Sequence, residues 1–171
     1  MKTLAFTSKY PGLSNILIND VYISEAFDLP SENIKSNDYK TNIYKAIWDT
    51  GATGTVITQK VADECSLKPT GVEEVYTAAG KTKANSYLVN VWLPNKVVIT
   101  NVKATLGELV GNVGVLIGMN IIGKGDFAVT NKGGKTVFSF RFPSVECIDF
   151  VKKPFKQQPT KAIPRRKRSR R

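Results

Sequence analysis

The sequence contains no histidine at all. That removes the Ser-His and Cys-His nucleophile pairs of ordinary hydrolases, and with them zinc sites built on imidazole. Acid–base hydrolysis by this chain therefore has to rest on carboxylates. Cysteine is nearly as scarce: Cys65 and Cys147 make neither a disulfide framework nor a metal cluster. Cys65, four residues after Val61 in a short helical stretch, reads as a core residue. No run approaches the ~18 consecutive apolar residues that a bilayer-spanning helix needs. The apolar stretch after Met1-Lys2 is too short for a secretory signal, so a cytoplasmic location is the expectation.

Acid is missing from one end. The formal charge is +11, but residues 151–171 hold ten of the 25 Lys and Arg and none of the 14 acids. Without that segment, 15 basic groups face 14 acidic ones, a net charge of +1. The division expected is a folded domain over residues 1–150 and a basic tail over 151–171, whose prolines and cations predict disorder. The tail end, Arg165-Arg-Lys-Arg-Ser-Arg-Arg, suits non-specific contact with nucleic acid or anionic lipid, or a solvated tail with no dedicated partner. Nothing in the body supplies base-reading machinery.

What the body does contain is a series of short β-branched and aromatic runs separated by glycine turns. Asn15–Ser24, Ile43–Trp48, Val72–Tyr76, Ala84–Leu93 and Val97–Leu106 read as strands, and Leu29–Asn42 as a surface loop or a short helical turn. Asp126–Thr130 and Thr136–Phe140 form a hairpin across Asn131-Lys-Gly-Gly-Lys135. Thr58 is placed to cap a short helix over Gln59–Ser66, and the apolar run Val115–Gly123 reads as a buried strand. The pattern predicts an all-β, barrel-like domain with one or two short helices.

The chemistry concentrates in Ala46-Ile-Trp-Asp-Thr-Gly-Ala-Thr-Gly-Thr-Val-Ile57. An apolar strand ends at Trp48, Asp49-Thr50-Gly51 turn, and a β-branched strand resumes, which puts a carboxylate at a loop tip. Downstream, Thr77-Ala-Ala-Gly-Lys-Thr-Lys83 forms a hairpin tip with little side chain to pin it. Further on, Leu116-Ile117-Gly118 is two apolar residues followed by a glycine, where another backbone can pass closely.

Those three elements, in that order, resemble the retropepsin-like (retroviral-type) aspartic peptidases, in their bacterial or cellular branch, over roughly Lys40 to Phe142. The resemblance implies a closed, mostly antiparallel β barrel like one lobe of a pepsin, with Leu116-Ile117-Gly118 crossing beneath the Asp-Thr-Gly loop and a short helix over Met119-Asn120-Ile121-Ile122, and an endopeptidase needing no cofactor and no metal. It makes Asp49 the catalytic carboxylate, with Thr50 and Gly51 as loop and dimer support. Gly51, Ala52, Thr53, Ala78, Ala79, Gly80, Lys81 and Ile117 become the residues that meet an extended peptide. Viral members carry an acid and an arginine where this chain has Thr53 and Met119, so an ion pair that props the viral dimer is absent.

Two carboxylates about 3 Å apart share one proton and can serve as base and acid together. No other Asp or Glu here precedes Thr-Gly or Ser-Gly, so one chain carries half of such a pair. A symmetric homodimer would complete it. The alternative is a catalytically silent module on the same fold that grips peptides or a partner.

Overall fold

The structure, a computed structural model, describes residues 3–27, 42–77 and 80–151. The polar stretch before Asn42, the hairpin tip Ala78-Ala79 and the basic tail from residue 152 lie outside the described residues. Ten strands and two short helices follow in order: β1 (Leu4–Lys9), β2 (Leu17–Glu25), β3 (Asn42–Trp48), β4 (Thr55–Ile57), α1 (Gln59–Glu64), β5 (Gly71–Thr77), β6 (Gly80–Leu93), β7 (Val97–Leu106), β8 (Val115–Ile117), α2 (Met119–Ile122), β9 (Asp126–Thr130) and β10 (Val137–Phe142).

The larger sheet runs β2-β3-β8-β4-β7-β6-β5, and β2 also pairs with β6, so the first six of these strands close into a barrel. The pairs β3–β8 and β4–β7 are parallel; the other pairs of the barrel are antiparallel. Alternation explains the filling. Val21 and Ile23, then Tyr44, Ala46 and Trp48, then Ile57, Val115 and Ile117 all turn inward and are buried. β6 must serve both barrel and hairpin. Its first four residues are exposed where it pairs with β5, and its second half is buried almost throughout. The change is accompanied by a break in register at Asn90, a bulge that lets a long strand bend. The buried Asn90 amide is satisfied: Oδ1 accepts from the Asn101 N–H at 3.0 Å and Nδ2 donates to the Phe27 carbonyl at 3.2 Å.

A second sheet, ordered β1-β10-β9, joins the chain ends, with Leu4 opposite Phe142. It is bonded to the barrel by aromatic rings. Trp48 stacks on Phe127 with centroids 5.5 Å apart and planes within 5°, and meets Phe138 and Phe140 at 5.6 and 5.1 Å. Phe6 closes the group from β1 at 5.8 Å from Trp48. Offset and tilted ring pairs of this kind add about 0.5–1.5 kcal/mol each beyond their burial. The Trp48 indole N–H is also used, donating to Asn19 Oδ1 at 2.5 Å. So the residue immediately before Asp49 is held among four rings and by a hydrogen bond at its edge.

Sequence-based expectations hold for the strands and for the β9–β10 hairpin, and Cys65 is buried in the core. Two differ. Thr58 sits at the N-cap of α1 but makes no side-chain capping bond, and the helix ends at Glu64 rather than Ser66. The run Val115–Gly123 is not one strand: it is β8 followed by α2, divided at Gly118. Among the described residues no helix is long and apolar enough to cross a membrane.

The chain after β10 is tied back by one carboxylate. Asp126 accepts from Ser144 Oγ (2.5 Å), the Val145 N–H (3.0 Å), the Glu146 N–H (3.3 Å) and the Arg141 guanidinium (2.6 and 2.8 Å). The Ser144 hydroxyl first, then the Val145 N–H and Arg141, hold its carboxyl well below the usual carboxylate range. A depressed folded value stabilises the tie fully above the unfolded carboxylate value, ~3.9, and the contribution is lost as pH falls toward the folded value. Amide exchange at Val145 and Glu146 should therefore stay slow at pH 5 and accelerate below about pH 3 relative to the barrel. Equal acceleration in barrel and segment would contradict this assignment.

Candidate active site

Asp49 leaves the end of β3 half-buried, followed by the exposed pair Thr50-Gly51. Three hydrogen bonds shape the turn. The Asp49 N–H donates to the Ile117 carbonyl at 3.0 Å, tying the loop to the end of β8. Asp49 Oδ1 accepts from the Gly51 N–H at 2.8 Å, and the Asp49 carbonyl accepts from the Ala52 N–H at 3.3 Å. The bond to the side chain makes an Asx turn, the local arrangement that Asp favours when glycine follows two residues on.

Gly118 passes directly beneath this loop. A Cβ added there would stand 2.2 Å from the Gly54 carbonyl oxygen and 2.8 Å from that of Ala52. Past the glycine, the Met119 N–H donates to Ala52 O at 2.8 Å and the Asn120 N–H to Thr53 O at 3.1 Å. These are the first two residues of α2, whose N–H groups have no partner within the helix. Thr53 and Met119, where the resemblance placed the missing ion pair, each take part in one of these backbone bonds, with Asn120 and Ala52 respectively rather than with each other.

Asn120 went unremarked in the sequence, and it completes the support. Its Oδ1 accepts from the buried Thr55 hydroxyl at 2.9 Å, and its Nδ2 donates to the Lys103 carbonyl at 3.0 Å. The signal available was an amide two residues after the crossing glycine, a poor signal alone because asparagine is common in turns.

Ile117 was expected among the residues that meet a peptide. Its side chain has 0% exposure and lies in the core, so it offers a peptide no surface; its carbonyl holds Asp49 instead. Its neighbour in β8, Leu116, is half-buried and stands in register with Ile47. The expected contacts Ala52 and Thr53 are half-buried and exposed, respectively. Across the β5–β6 hairpin, Thr77 pairs with Gly80, which adopts φ +117°; Ala78 and Ala79, between them, lie outside the described residues. Lys81 is exposed and pairs with Glu74 at 2.6 Å, its ammonium 5.7 Å from the Tyr76 ring centre.

Beside Asp49 runs a cleft of about 320 Å³, lined by Asn15, Ile16, Leu17, Ile47, Trp48, Asp49, Thr50, Phe127 and Val129. Its wall is mostly apolar and aromatic, with Asn15 and Thr50 polar, and among the described residues Asp49 is its one acid. A larger cavity, about 570 Å³, lies around Tyr44, Lys45, Asp20 and the loop Leu109–Gly114, and does not include Asp49. Among the described residues no cluster of three or more His, Cys, Asp or Glu could hold a metal ion.

The closed barrel, with an Asp-Thr-Gly loop crossed underneath by a glycine, defines a retropepsin-type fold. The model of the gag-polyprotein putative aspartyl protease family matches residues 37–124, just over half of the chain, and the chain belongs to that family. Among solved structures it is similar to the retropepsin-like aspartic protease from Rickettsia conorii, at 16% identity and a TM-score of 0.51. That match covers 82% of this chain and 95% of the other, and at this identity it speaks for the fold alone. No curated protein matches the sequence.

Proposed function

We propose that two copies of this chain form an aspartic endopeptidase, with one Asp49 from each at the two-fold axis. The observation that carries this reading is the isolation of Asp49: a carboxylate lining a mostly apolar cleft that, among the described residues, offers no second acid. The missing partner is supplied by symmetry.

In the assembled site a water sits between the two carboxylates, which hold one proton between them. The ionised carboxylate takes a proton from the water as its oxygen attacks the peptide carbonyl carbon. The protonated one gives its proton to the carbonyl oxygen, so no free oxyanion forms. Collapse of the tetrahedral species returns a proton to the leaving nitrogen and restores the shared state. Which Asp49 acts as base is decided by the asymmetry of the bound peptide, and the two titrate as a pair.

The remaining residues position the peptide. Thr50 bonds across the interface and holds the two loops together, and Gly51 offers its carbonyl to the substrate backbone. Ala52 and Thr53 flank it. The β5–β6 hairpin closes over the peptide through Ala78, Ala79, Gly80 and Lys81, pairing main chain to main chain as an added strand. No cofactor takes part. The absence of the viral ion pair leaves dimer strength to the loop and to apolar contacts.

A statine-type compound, which mimics the hydrated carbonyl, should inhibit cleavage of an unfolded protein substrate at mildly acidic pH. Transition-state mimics gain about 10²-fold or more over substrates, so inhibition at low micromolar concentration is expected. Cleavage that ignores such a compound would sink the dyad.

A further inference from the structure

We propose that the cavity between β3, α1 and the loop after β7 binds a short peptide with both ends free, held as a fragment of strand against the open edge of β3. The site shares no residue with the cleft beside Asp49, and the inference does not depend on the peptidase reading. At about 570 Å³ the cavity falls within the ~300–1,000 Å³ of small-ligand sites.

The register of β2 and β3 leaves one pair of main-chain groups facing into it. The Tyr10 hydroxyl accepts from the Ile18 N–H at 2.6 Å and donates to the Ile18 carbonyl at 2.9 Å, so the backbone of Ile18 turns away from β3. Ile18 stands opposite Ile47, and in an antiparallel ladder such unbonded pairs recur at every second residue: Asp20 with Lys45, then Tyr22 with Ile43. Accordingly the Lys45 carbonyl accepts from the Gly114 N–H, at 3.0 Å, on the side away from β2. On that side β8 covers only Ala46–Trp48. The N–H and C=O of Ile43 therefore point past the end of β8 into the cavity, and no strand among the described residues pairs with them there. An open strand edge of this kind takes an extended peptide main chain to main chain.

The charges select the ends of that peptide. On one wall Lys45 meets Asp20 at 2.6 Å; on another, Lys60 and Glu64 of α1 stand 3.9 Å apart. With two cations and two anions, a simple anion meets a repulsion beside each attraction, and so does a simple cation. A zwitterion can satisfy both signs. Both ion pairs are exposed and hold little energy, so they open readily to an incoming carboxylate and ammonium. Glu64 is aimed by the Tyr44 hydroxyl, which donates to its Oε2 at 2.9 Å. Thr58, which makes no capping bond, brings a hydroxyl to the same space. Ile43, Leu109 and Val113 supply apolar surface for the ligand's side chains.

The test uses the full Asp49→Asn chain, isotope-labelled and unable to cut, titrated with trialanine while its amide resonances are followed. The comparison ligand is trialanine with its amino end acetylated and its carboxyl end amidated. Saturating shifts are expected at Ile43, Lys60 and Gly114, with the blocked peptide bound about tenfold more weakly or worse. Ile43→Pro removes the N–H that faces the cavity without removing a bond to β2, and should weaken trialanine by about tenfold. Lys60→Glu, at an exposed helix position, reverses one charge and should weaken it similarly, which keeps the test decisive if the proline variant unfolds. Shifts confined to Thr50 and Gly51, equal binding of the blocked peptide, or no saturation at millimolar trialanine would each overturn the inference. The peptidase reading, which rests on cleavage, would stand in every case.

Discussion

Asp49→Asn should lower peptide cleavage by about 10³-fold or more while leaving the fold and melting temperature nearly unchanged. The size follows from the proposed role, in which the same carboxylate would be base in one subunit and acid in the other, so the substitution would remove both at once. The fold survives because an asparagine Oδ1 still accepts from the Gly51 N–H, as Asp49 Oδ1 does at 2.8 Å. The backbone bond from residue 49 to the Ile117 carbonyl is indifferent to the side chain. Initial rates on an unfolded protein, with a thermal melt followed by circular dichroism, check both halves. Cleavage surviving at a tenth of the normal rate would remove Asp49 from the chemistry.

Gly118→Ala attacks the same site from below and should be costly in stability as well. The new Cβ would stand 2.2 Å from Gly54 O, 2.7 Å from Gly54 C and 2.8 Å from Ala52 O. All three are backbone atoms, unable to rotate aside as a side chain would. Relief requires the loop to lift, which stretches the bonds from Met119 and Asn120 to Ala52 and Thr53 and displaces Asp49. Overpacking of this kind costs about 3 kcal/mol. For a domain of this size that lowers the melting temperature by roughly 6–12 °C. Activity should fall with it, since a displacement near 1 Å at a catalytic group is worth about 10²-fold. Gly54→Ala is the natural control, because a Cβ there meets nothing within 4 Å. If both variants melt alike, the close crossing is not what holds the loop.

The parts of this fold that were legible in the sequence are those set by short stretches of chain. The turn at Asp49-Thr50-Gly51 follows from local chemistry, as does the hairpin between β9 and β10, whose Gly133 has φ +67° and Gly134 φ +73°. Gly118 could be marked as a close approach because a glycine inside an apolar run weakens the strand unless a neighbouring backbone needs the space. That it crosses beneath the Asp-Thr-Gly loop is supplied by the family resemblance, not by the run itself. The division of Val115–Gly123 into β8 and α2 depends on the Ala52 and Thr53 carbonyls, more than sixty residues upstream, accepting the first N–H groups of the helix. Apolar periodicity over so short a run does not separate strand from helix. Asn120 was missed for the same reason, since its partners Thr55 and Lys103 come from two other strands. That the Ile117 side chain turns into the core is fixed by register with β3 and β4, which a three-residue strand does not announce. The pairing of β1 with β10, which brings the two ends of the folded region together, left no local trace.

The claim on which everything else depends is that each chain supplies half of a catalytic pair. It is tested most directly by holding wild-type protein at a fixed concentration, adding Asp49→Asn protein in increasing excess, and letting subunits exchange. Mixed dimers carry one carboxylate and should be inert, so a ninefold excess of the variant should lower the wild-type rate by about tenfold. A rate that stays constant at every ratio would mean that one chain cleaves alone, contradicting the account.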